Sequence, residues 1–161
     1  MKVLGIDPGL ADFGWAVIEY DKNFKNYKLL SYGEIKTRKE ESIEDRLHKI
    51  FFELKNIIEK QTPNLVCIES QFYTKIAKSM INTYMALGVV YLVCGLKKIP
   101  TKEFSAKTVK VAISGYGSAG KLQIKKMVAM LLGLDKEINS EHINDAISVA
   151  LCYLTTSCFV E

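Results

Sequence analysis

The stretch VLGIDPGLADFGWAVIEY, residues 3–20, decides the fold because it contains two strands joined by a tight turn. The apolar residues from Val3 to Ile6 predict a core strand, and residues 13–20 predict a second strand running back beside it. Between them, Asp7-Pro8-Gly9 is typical of a turn. Asp7 either shapes that turn, as aspartate often does, or holds a ligand at the end of the strand. This stretch alone leaves both roles open.

The rest of the chain predicts an α/β protein forming one domain over residues 1–161. Apolar patterning predicts three further strands, at 27–36, 65–70 and 99–105. Periodic apolar residues and capping signals predict helices over 41–60, 75–97, 105–113, 121–132 and 139–155. This order of elements describes a central five-stranded mixed sheet flanked by helices.

Positive charge is concentrated in the middle of the chain. Residues 71–130 carry ten lysines and one acidic residue, a net of +9, whereas the remainder carries 12 basic and 17 acidic residues. This pattern favours a polyanionic partner, the alternative being lysines scattered over several solvated surfaces. The start of the chain lacks a secretory signal, and the longest uncharged apolar run, 12 residues, is too short to cross a membrane. We therefore expect a cytoplasmic protein whose four cysteines are reduced core residues.

Two acidic residues end two predicted core strands, Asp7 in the first strand and Glu69 in the strand at 65–70. Strands of the same direction place their carboxyl ends at one edge of an α/β sheet, where ligands usually bind. If these strands are neighbours, the two carboxylates repel each other unless a cation lies between them. Magnesium is the natural candidate because it takes oxygen ligands and keeps several waters.

The last predicted helix begins NSEHINDAISVA, residues 139–150, and places His142 and Asp145 on one face. In the simpler interpretation, Glu141 and Asp145 favour the positive end of the helix dipole and His142 is a partly exposed polar residue. The presence of Asp7 and Glu69 favours a functional interpretation instead. It predicts that three or four metal-binding side chains converge at the edge of the sheet.

These segments together resemble the RuvC family of Holliday-junction resolvases, in the ribonuclease-H-like superfamily. The resemblance is carried by GIDPG at 5–9, IESQF at 68–72, VKVAISGYGSAGKLQIKKMV at 109–128 and HINDAISVA at 142–150, in order and with fitting spacing. It implies a ribonuclease-H-like fold and a crossover junction endodeoxyribonuclease. Such an enzyme nicks two symmetric strands of a Holliday junction in homologous recombination and DNA repair, leaving 5′-phosphates.

The resemblance also implies a catalytic set that binds two divalent ions, made of Asp7, Glu69, His142 and Asp145. In a two-metal site, one ion activates water and the other stabilises the leaving 3′ oxygen. His142 stands where an aspartate is commoner in the family, so it either ligates a metal or acts as the base for the attacking water. We expect Mg²⁺, with Mn²⁺ also supporting activity because a nitrogen ligand suits manganese.

For DNA binding, the resemblance implies roles for Lys110 and Lys121, and a role for Phe72 in opening or stacking on junction bases. Phosphate contacts are expected from the lysines of the basic region, namely Lys75, Lys78, Lys107, Lys110, Lys121, Lys125 and Lys126.

Two symmetric cuts call for a homodimer. The helix at 75–97 offers an apolar stripe for it, or that stripe is only core; its members are Ile76, Met80, Tyr84, Leu87 and Tyr91, with small Ala86 and Gly88. Branch-migration helicase proteins are further partners that the resemblance implies.

Two alternatives remain. The segment GYGSAGKL, residues 115–122, is close to a P-loop and would indicate a nucleotide hydrolase, although Leu122 replaces the usual Ser or Thr. A non-catalytic protein that binds branched DNA by shape is the second alternative. It has no use for a cluster of like charges at the end of a sheet.

Overall fold

The described residues, 1–23, 25–70 and 78–157, form one sheet whose strands follow the predicted order. In this computed structural model the strands are β1 (Lys2–Asp7), β2 (Asp12–Asp21), β3 (Asn26–Lys36), β4 (Leu65–Ser70) and β5 (Thr101–Ser105). Their order across the sheet is β3-β2-β1-β4-β5, with β1 antiparallel to β2 and parallel to β4. The predicted five-stranded mixed sheet is confirmed.

The helices of the described residues also match the predicted pattern. They are α1 (Ile43–Gln61), α2 (Lys78–Lys97), α3 (Ala106–Ser114), α4 (Lys121–Leu132) and α5 (Glu141–Ser157). Ser105 caps α3 by accepting a hydrogen bond from the Thr108 amide, and Gly133 ends α4 in the left-handed conformation. The predicted start of α2 at 75 lies outside the described residues.

The sheet separates two hydrophobic cores. Alternate residues of β1 point to opposite faces, so Leu4 and Ile6 pack among α1 and α2, whereas Val3 packs among α3, α4 and α5. Cys67 and Cys152 lie in the second core and Cys94 lies in the first, all buried and unpaired, as expected. Cys158 lies outside the described residues.

Two glycines allow α5 to lie directly on the sheet. A Cβ atom on Gly5 would stand 1.9 Å from the carbonyl oxygen of Ala146, and one on Gly14 would stand 2.2 Å from the carbonyl oxygen of His142. Any larger residue would push the helix away. Because Gly14 pairs with Asp7 across β1 and β2, the first turn of α5 lies over the strand end that carries Asp7.

Helix α2 buries one side and exposes the other. The buried side includes Ala86 and Val90, while Tyr84 (53% exposed), Leu92 (55%) and Leu96 (64%) face outward. The apolar stripe expected for this helix lies at the boundary between the two sides, because its members share one face but differ in burial: Met80 is buried, whereas Tyr84 and Tyr91 are exposed.

By length and composition, one helix of the described residues could cross a membrane. The segment Met80–Lys97 has 18 residues with a mean hydropathy of 1.4, and a third of it is buried. The 12-residue run begins after the uncharged polar residues Asn82 and Thr83, so it is shorter than this stretch. Core helices pass the same test, so the composition alone does not identify a membrane span.

Candidate active site

Asp7 and Glu69 lie at the same edge of the sheet. β1 and β4 are parallel neighbours in which Ile6 pairs with Ile68, so each acidic residue follows at the carboxyl end of its strand. Asp7 is only 6% exposed and Glu69 is partly buried. Both carboxylates thus lie where an α/β sheet usually binds ligands.

The carboxylates of Glu69 and Asp145 both have a raised pKa. Burial is the largest cause for Glu69, followed by the charges of Asp145 and Asp7, and together they raise its pKa to about 7 against the opposing charge of Lys110. Burial, followed by the charge of Asp7, raises the pKa of Asp145 to about 6. These mutual effects show that three carboxyl groups from β1, β4 and α5 share one site.

His142 contacts Asp7 directly. The imidazole Nδ1 lies 2.7 Å from the Asp7 carboxylate Oδ2. This hydrogen bond is the main reason that the pKa of His142 is raised, and the charges of Asp7, Asp12 and Glu34 add to the effect. When the ring is protonated, it donates Nδ1–H to Asp7 and forms an ion pair with it. The bond also fixes the orientation of the ring, leaving its Nε2 edge facing away from Asp7.

A row of residues that crosses the sheet from Asp7 supports the start of α5. The sequence analysis did not predict it. Asp7, Gly14 and Glu34 are register partners on β1, β2 and β3. Glu34 accepts a hydrogen bond from the Ser140 hydroxyl and pairs with Lys36 at 2.8 Å, and the bond from Lys36 is the larger cause of its lowered pKa. Ser140 in turn accepts from the Ile143 amide at the start of α5. Nothing in the sequence around Glu34 indicated that it would hold Ser140 at the start of α5.

Lysines and carboxylates line a cleft of about 220 Å³ beside these groups. Among the residues that line the cleft are Glu69, Asp145, Lys110, Lys121 and Lys125. Lys121 forms an ion pair with Glu141, and its pKa is raised by that bond first and more weakly by the charges of Asp145 and Asp7. The Lys125 ammonium donates to the Asn139 carbonyl at 3.0 Å. The cleft is therefore lined by both carboxylates and lysines.

Other predicted DNA-binding residues lie outside this cleft or outside the described residues. Lys107 lies on α3 and lines a different depression, together with Val111 and Thr156. Phe72 and Lys75 lie outside the described residues, as does the side chain of Lys78.

The donor set at the sheet edge fits a hard divalent cation. Within the described ranges, no group of three or more histidine, cysteine or acidic side chains lies closely enough together to hold a metal ion. The carboxyl groups affect one another's pKa, but the predicted convergence of three or four metal-binding side chains is not formed. The carboxyl groups of Glu69 and Asp145 have a pKa raised first by burial and then by neighbouring negative charge, and a bound cation would offset both effects. Ions such as Mg²⁺ keep several waters and need only a few carboxylate ligands, so an open group suits them.

The P-loop alternative fails on topology. A P-loop joins a strand to a helix, whereas residues 115–120 join helix α3 to helix α4. No strand precedes the glycine-rich segment directly, so the glycines end one helix and lead into the next.

Comparison with known proteins decides the family. A family model described as "Crossover junction endodeoxyribonuclease RuvC" matches residues 3–153. The chain belongs to the RuvC family. A RuvC of Caldicellulosiruptor saccharolyticus is 40% identical over 98% of this chain and 94% of its own length. Membership of this nuclease family implies a dependence on divalent metal ions.

Solved RuvC structures share the fold over nearly the whole chain. The RuvC of Thermus thermophilus superposes with a TM-score of 0.91 at 28% identity, covering 99% of this chain and 96% of that one. The same protein in complex with a Holliday junction substrate superposes with a TM-score of 0.90 at 24% identity, covering 99% and 97%. The sheet and helices described above are therefore those of the RuvC fold.

Proposed function

We propose that this chain is a crossover junction endodeoxyribonuclease, a hydrolase that resolves Holliday junctions in homologous recombination and DNA repair. It nicks two symmetric strands by metal-dependent hydrolysis of phosphodiesters, leaving 5′-phosphates. One observation carries the proposal: acidic and imidazole groups from β1, β4 and α5 meet beside a lysine-lined cleft. The RuvC relatives, which carry this activity in their names, support it.

Asp7, Glu69 and Asp145 would hold the metal ions, with His142 beside them. When bound, two divalent ions supply an activated water and stabilise the leaving 3′ oxygen. We propose Mg²⁺ as the physiological ion because three carboxylates form the core of the set, with Mn²⁺ as an effective substitute because of the imidazole. The helix α5, pressed on Gly5 and Gly14, fixes two of these four groups relative to the other two.

The lysines of the cleft bind and orient the DNA backbone. Lys110, whose charge already opposes the raised pKa of Glu69, lies where a scissile phosphate would approach the carboxylates. Lys121 and Lys125 extend this wall along α4. Phosphate contacts of this kind supply affinity and salt dependence without reading the base sequence. We propose the same for Lys75, Lys78 and Lys107, and a base-stacking role for Phe72.

His142 has two candidate roles, each with a distinct test. As a metal ligand it can be replaced by aspartate, so His142→Asp keeps cutting within about tenfold, whereas His142→Ala loses it. As the base for water it needs an imidazole, and then His142→Asp and His142→Ala fail alike. The Asp7 hydrogen bond at Nδ1 leaves Nε2 free for either role. A comparison of nicking rates in Mg²⁺ and Mn²⁺ for both variants decides between the two.

We propose that the exposed side of α2 packs against a second copy of the chain. A junction offers two equivalent strands, so two sites related by a two-fold axis match its symmetry. The outward residues Tyr84, Leu92 and Leu96 are more than half exposed, which is unusual for a cluster of this size on a monomer.

Light scattering on purified protein tests the dimer. The wild type should have twice the mass of the 18.1 kDa chain. Leu92→Glu should give a monomer, whereas Met130→Glu, on an even more exposed apolar residue of α4 (74%), should leave the dimer intact. A monomeric wild type that sediments with lipid vesicles would instead favour a membrane contact for α2.

Three further proposals rest on family membership. The chain acts as one domain over residues 1–161, it works in the cytoplasm, and branch-migration helicase proteins act beside it on the junction. A pull-down with purified branch-migration proteins on junction DNA tests the last of these.

The central experiment compares binding and cutting in Asp7→Asn. We expect unchanged affinity for a synthetic four-way junction, because Asp7 is buried and adds no favourable charge for DNA, and a nicking rate lower by orders of magnitude. The matched control is Asp12→Asn, a neighbouring acidic residue only weakly paired with Lys36, at 4.0 Å. Unchanged nicking in Asp7→Asn contradicts the assignment. Junction binding without cutting in either Mg²⁺ or Mn²⁺ would indicate the non-catalytic binder.

A further inference from the structure

The loop between α3 and α4, residues 115–120, presents an exposed aromatic residue. Tyr116 is 68% exposed, more than any other aromatic residue in the described part of the chain. A large apolar ring left in water is unfavourable unless a partner covers it. Its neighbours Val111 and Leu122, on α3 and α4, are also exposed at 47% and 62%.

The loop holds Tyr116 in a defined position. Gly115 ends α3 with a φ of 79°, a conformation that glycine adopts without strain. The Ser114 hydroxyl donates to the Tyr116 carbonyl at 3.1 Å, and the Ala119 amide donates to the same carbonyl at 3.3 Å. Because the backbone is already held in this way, covering the ring costs only the conformational entropy of the side chain.

The surroundings of the loop are basic. A Cβ atom on Gly117 would lie 3.2 Å from the Lys107 side chain, so the loop packs against the stem of that lysine. On the other side the loop leads into Lys121, which lines the cleft. The acidic residue that precedes the loop in sequence is Glu103, and it accepts a hydrogen bond from the Tyr91 hydroxyl of α2. The acidic residue that follows the loop at the cleft, Glu141, pairs with Lys121. The loop that carries Tyr116 is thus flanked by the lysines Lys107 and Lys121.

We infer that Tyr116 packs its ring on a nucleotide of the junction arm that enters the cleft, while the adjacent lysines bind its phosphates. The inference rests on the proposed function. Aromatic residues among lysines fit nucleic acid, because the ring meets base or sugar surfaces and the ammonium groups meet the backbone. An acidic protein surface would match the charge but has no flat ring system for Tyr116 to cover.

Fluorescence anisotropy with a labelled four-way junction tests the inference, in EDTA so that the strands stay intact. Tyr116→Ala should weaken binding about tenfold, and Tyr116→Phe should restore it because the ring provides the contact. Phe52→Ala is the matched control, since Phe52 is 47% exposed on α1, on the other side of the sheet from α3 and α4. It should bind like the wild type.

The salt dependence separates a ring contact from a charge contact. An apolar contact releases no counterions, so Tyr116→Ala should keep the slope of log K against log [salt], whereas Lys107→Ala should lower that slope by about one. If the wild type prefers junction to duplex and Tyr116→Ala binds the junction as tightly as the wild type, the inference about Tyr116 is wrong and the proposed function stands. A wild type without that preference overturns the proposed function, and the inference falls with it. A changed slope in Tyr116→Ala would show that the loop acts only by displacing lysines.

Discussion

Replacing Glu69 with glutamine should stabilise the metal-free protein while abolishing its activity. Burial, followed by the charges of Asp145 and Asp7, raises the pKa of Glu69 to about 7 from an ordinary 4.5. Ionised Glu69 is therefore unfavourable in the folded chain. Glutamine has nearly the same shape and carries no charge.

The size of the effect follows from the shift in pKa. One pK unit corresponds to about 1.4 kcal/mol, so a raised pKa of this size makes ionised Glu69 cost about 3 kcal/mol at pH 8. The folded chain binds more protons than the unfolded chain between pH 4.5 and 7. The protonated carboxyl therefore favours folding at low pH, and this contribution is lost as the pH rises through 7. At pH 5 the difference between Glu69→Gln and wild type should fall to about 1 kcal/mol.

Urea denaturation in EDTA at pH 5 and pH 8 measures both values. Glu40→Gln, at an exposed position before α1, is the matched control and should stay within about 0.5 kcal/mol of wild type at both pH values. Added Mg²⁺ should stabilise the wild type more than Glu69→Gln, because the ion binds the folded carboxylate set.

Two results would refute this reasoning. Glu69→Gln could be less stable than the wild type at pH 8, which would mean that burial and neighbouring charge do not make ionised Glu69 unfavourable. Alternatively, the difference could be equal at both pH values, which would mean that packing and not ionisation causes it. Nicking by Glu69→Gln at the wild-type rate would in addition remove Glu69 from the catalytic set.

Three further changes test how α5 and the cleft are built. Gly14→Ala should cost about 2 kcal/mol in urea denaturation and lower the nicking rate, because its Cβ would overlap the first turn of α5; Gly95→Ala, with open space around it, should cost nothing. Ser140→Ala should cost about 1 kcal/mol, since it removes the hydroxyl that caps α5 and bonds Glu34; a cost below 0.3 kcal/mol would contradict this. Lys121→Ala should lower the salt slope of junction binding by about one, and an unchanged slope would mean that Glu141 neutralises it.

The order of elements and the location of the acidic residues could be read from the sequence. An apolar run ending in Asp7 and another ending in Glu69 specify buried strands with polar carboxyl ends, and periodicity specifies the helices between them. Capping chemistry is equally local, so Ser105 and Gly133 marked helix ends correctly. The basic segment also predicted that lysines line a functional surface, and three of them line the cleft.

What the sequence could not provide is how distant surfaces meet. Three features depend on the angle and depth of helix packing. They are the contact between His142 and Asp7, the alignment of Asp7, Gly14 and Glu34 across the sheet, and the division of α2 into a buried and an exposed side. Composition and periodicity identify an apolar helix, but they do not show which of two apolar sides faces the sheet. That choice is made by close packing over the whole core, where the space left by Gly5 lets α5 lie against β1. Strand patterning therefore determined which residues end at the sheet edge, and only tertiary packing decided which of them touch.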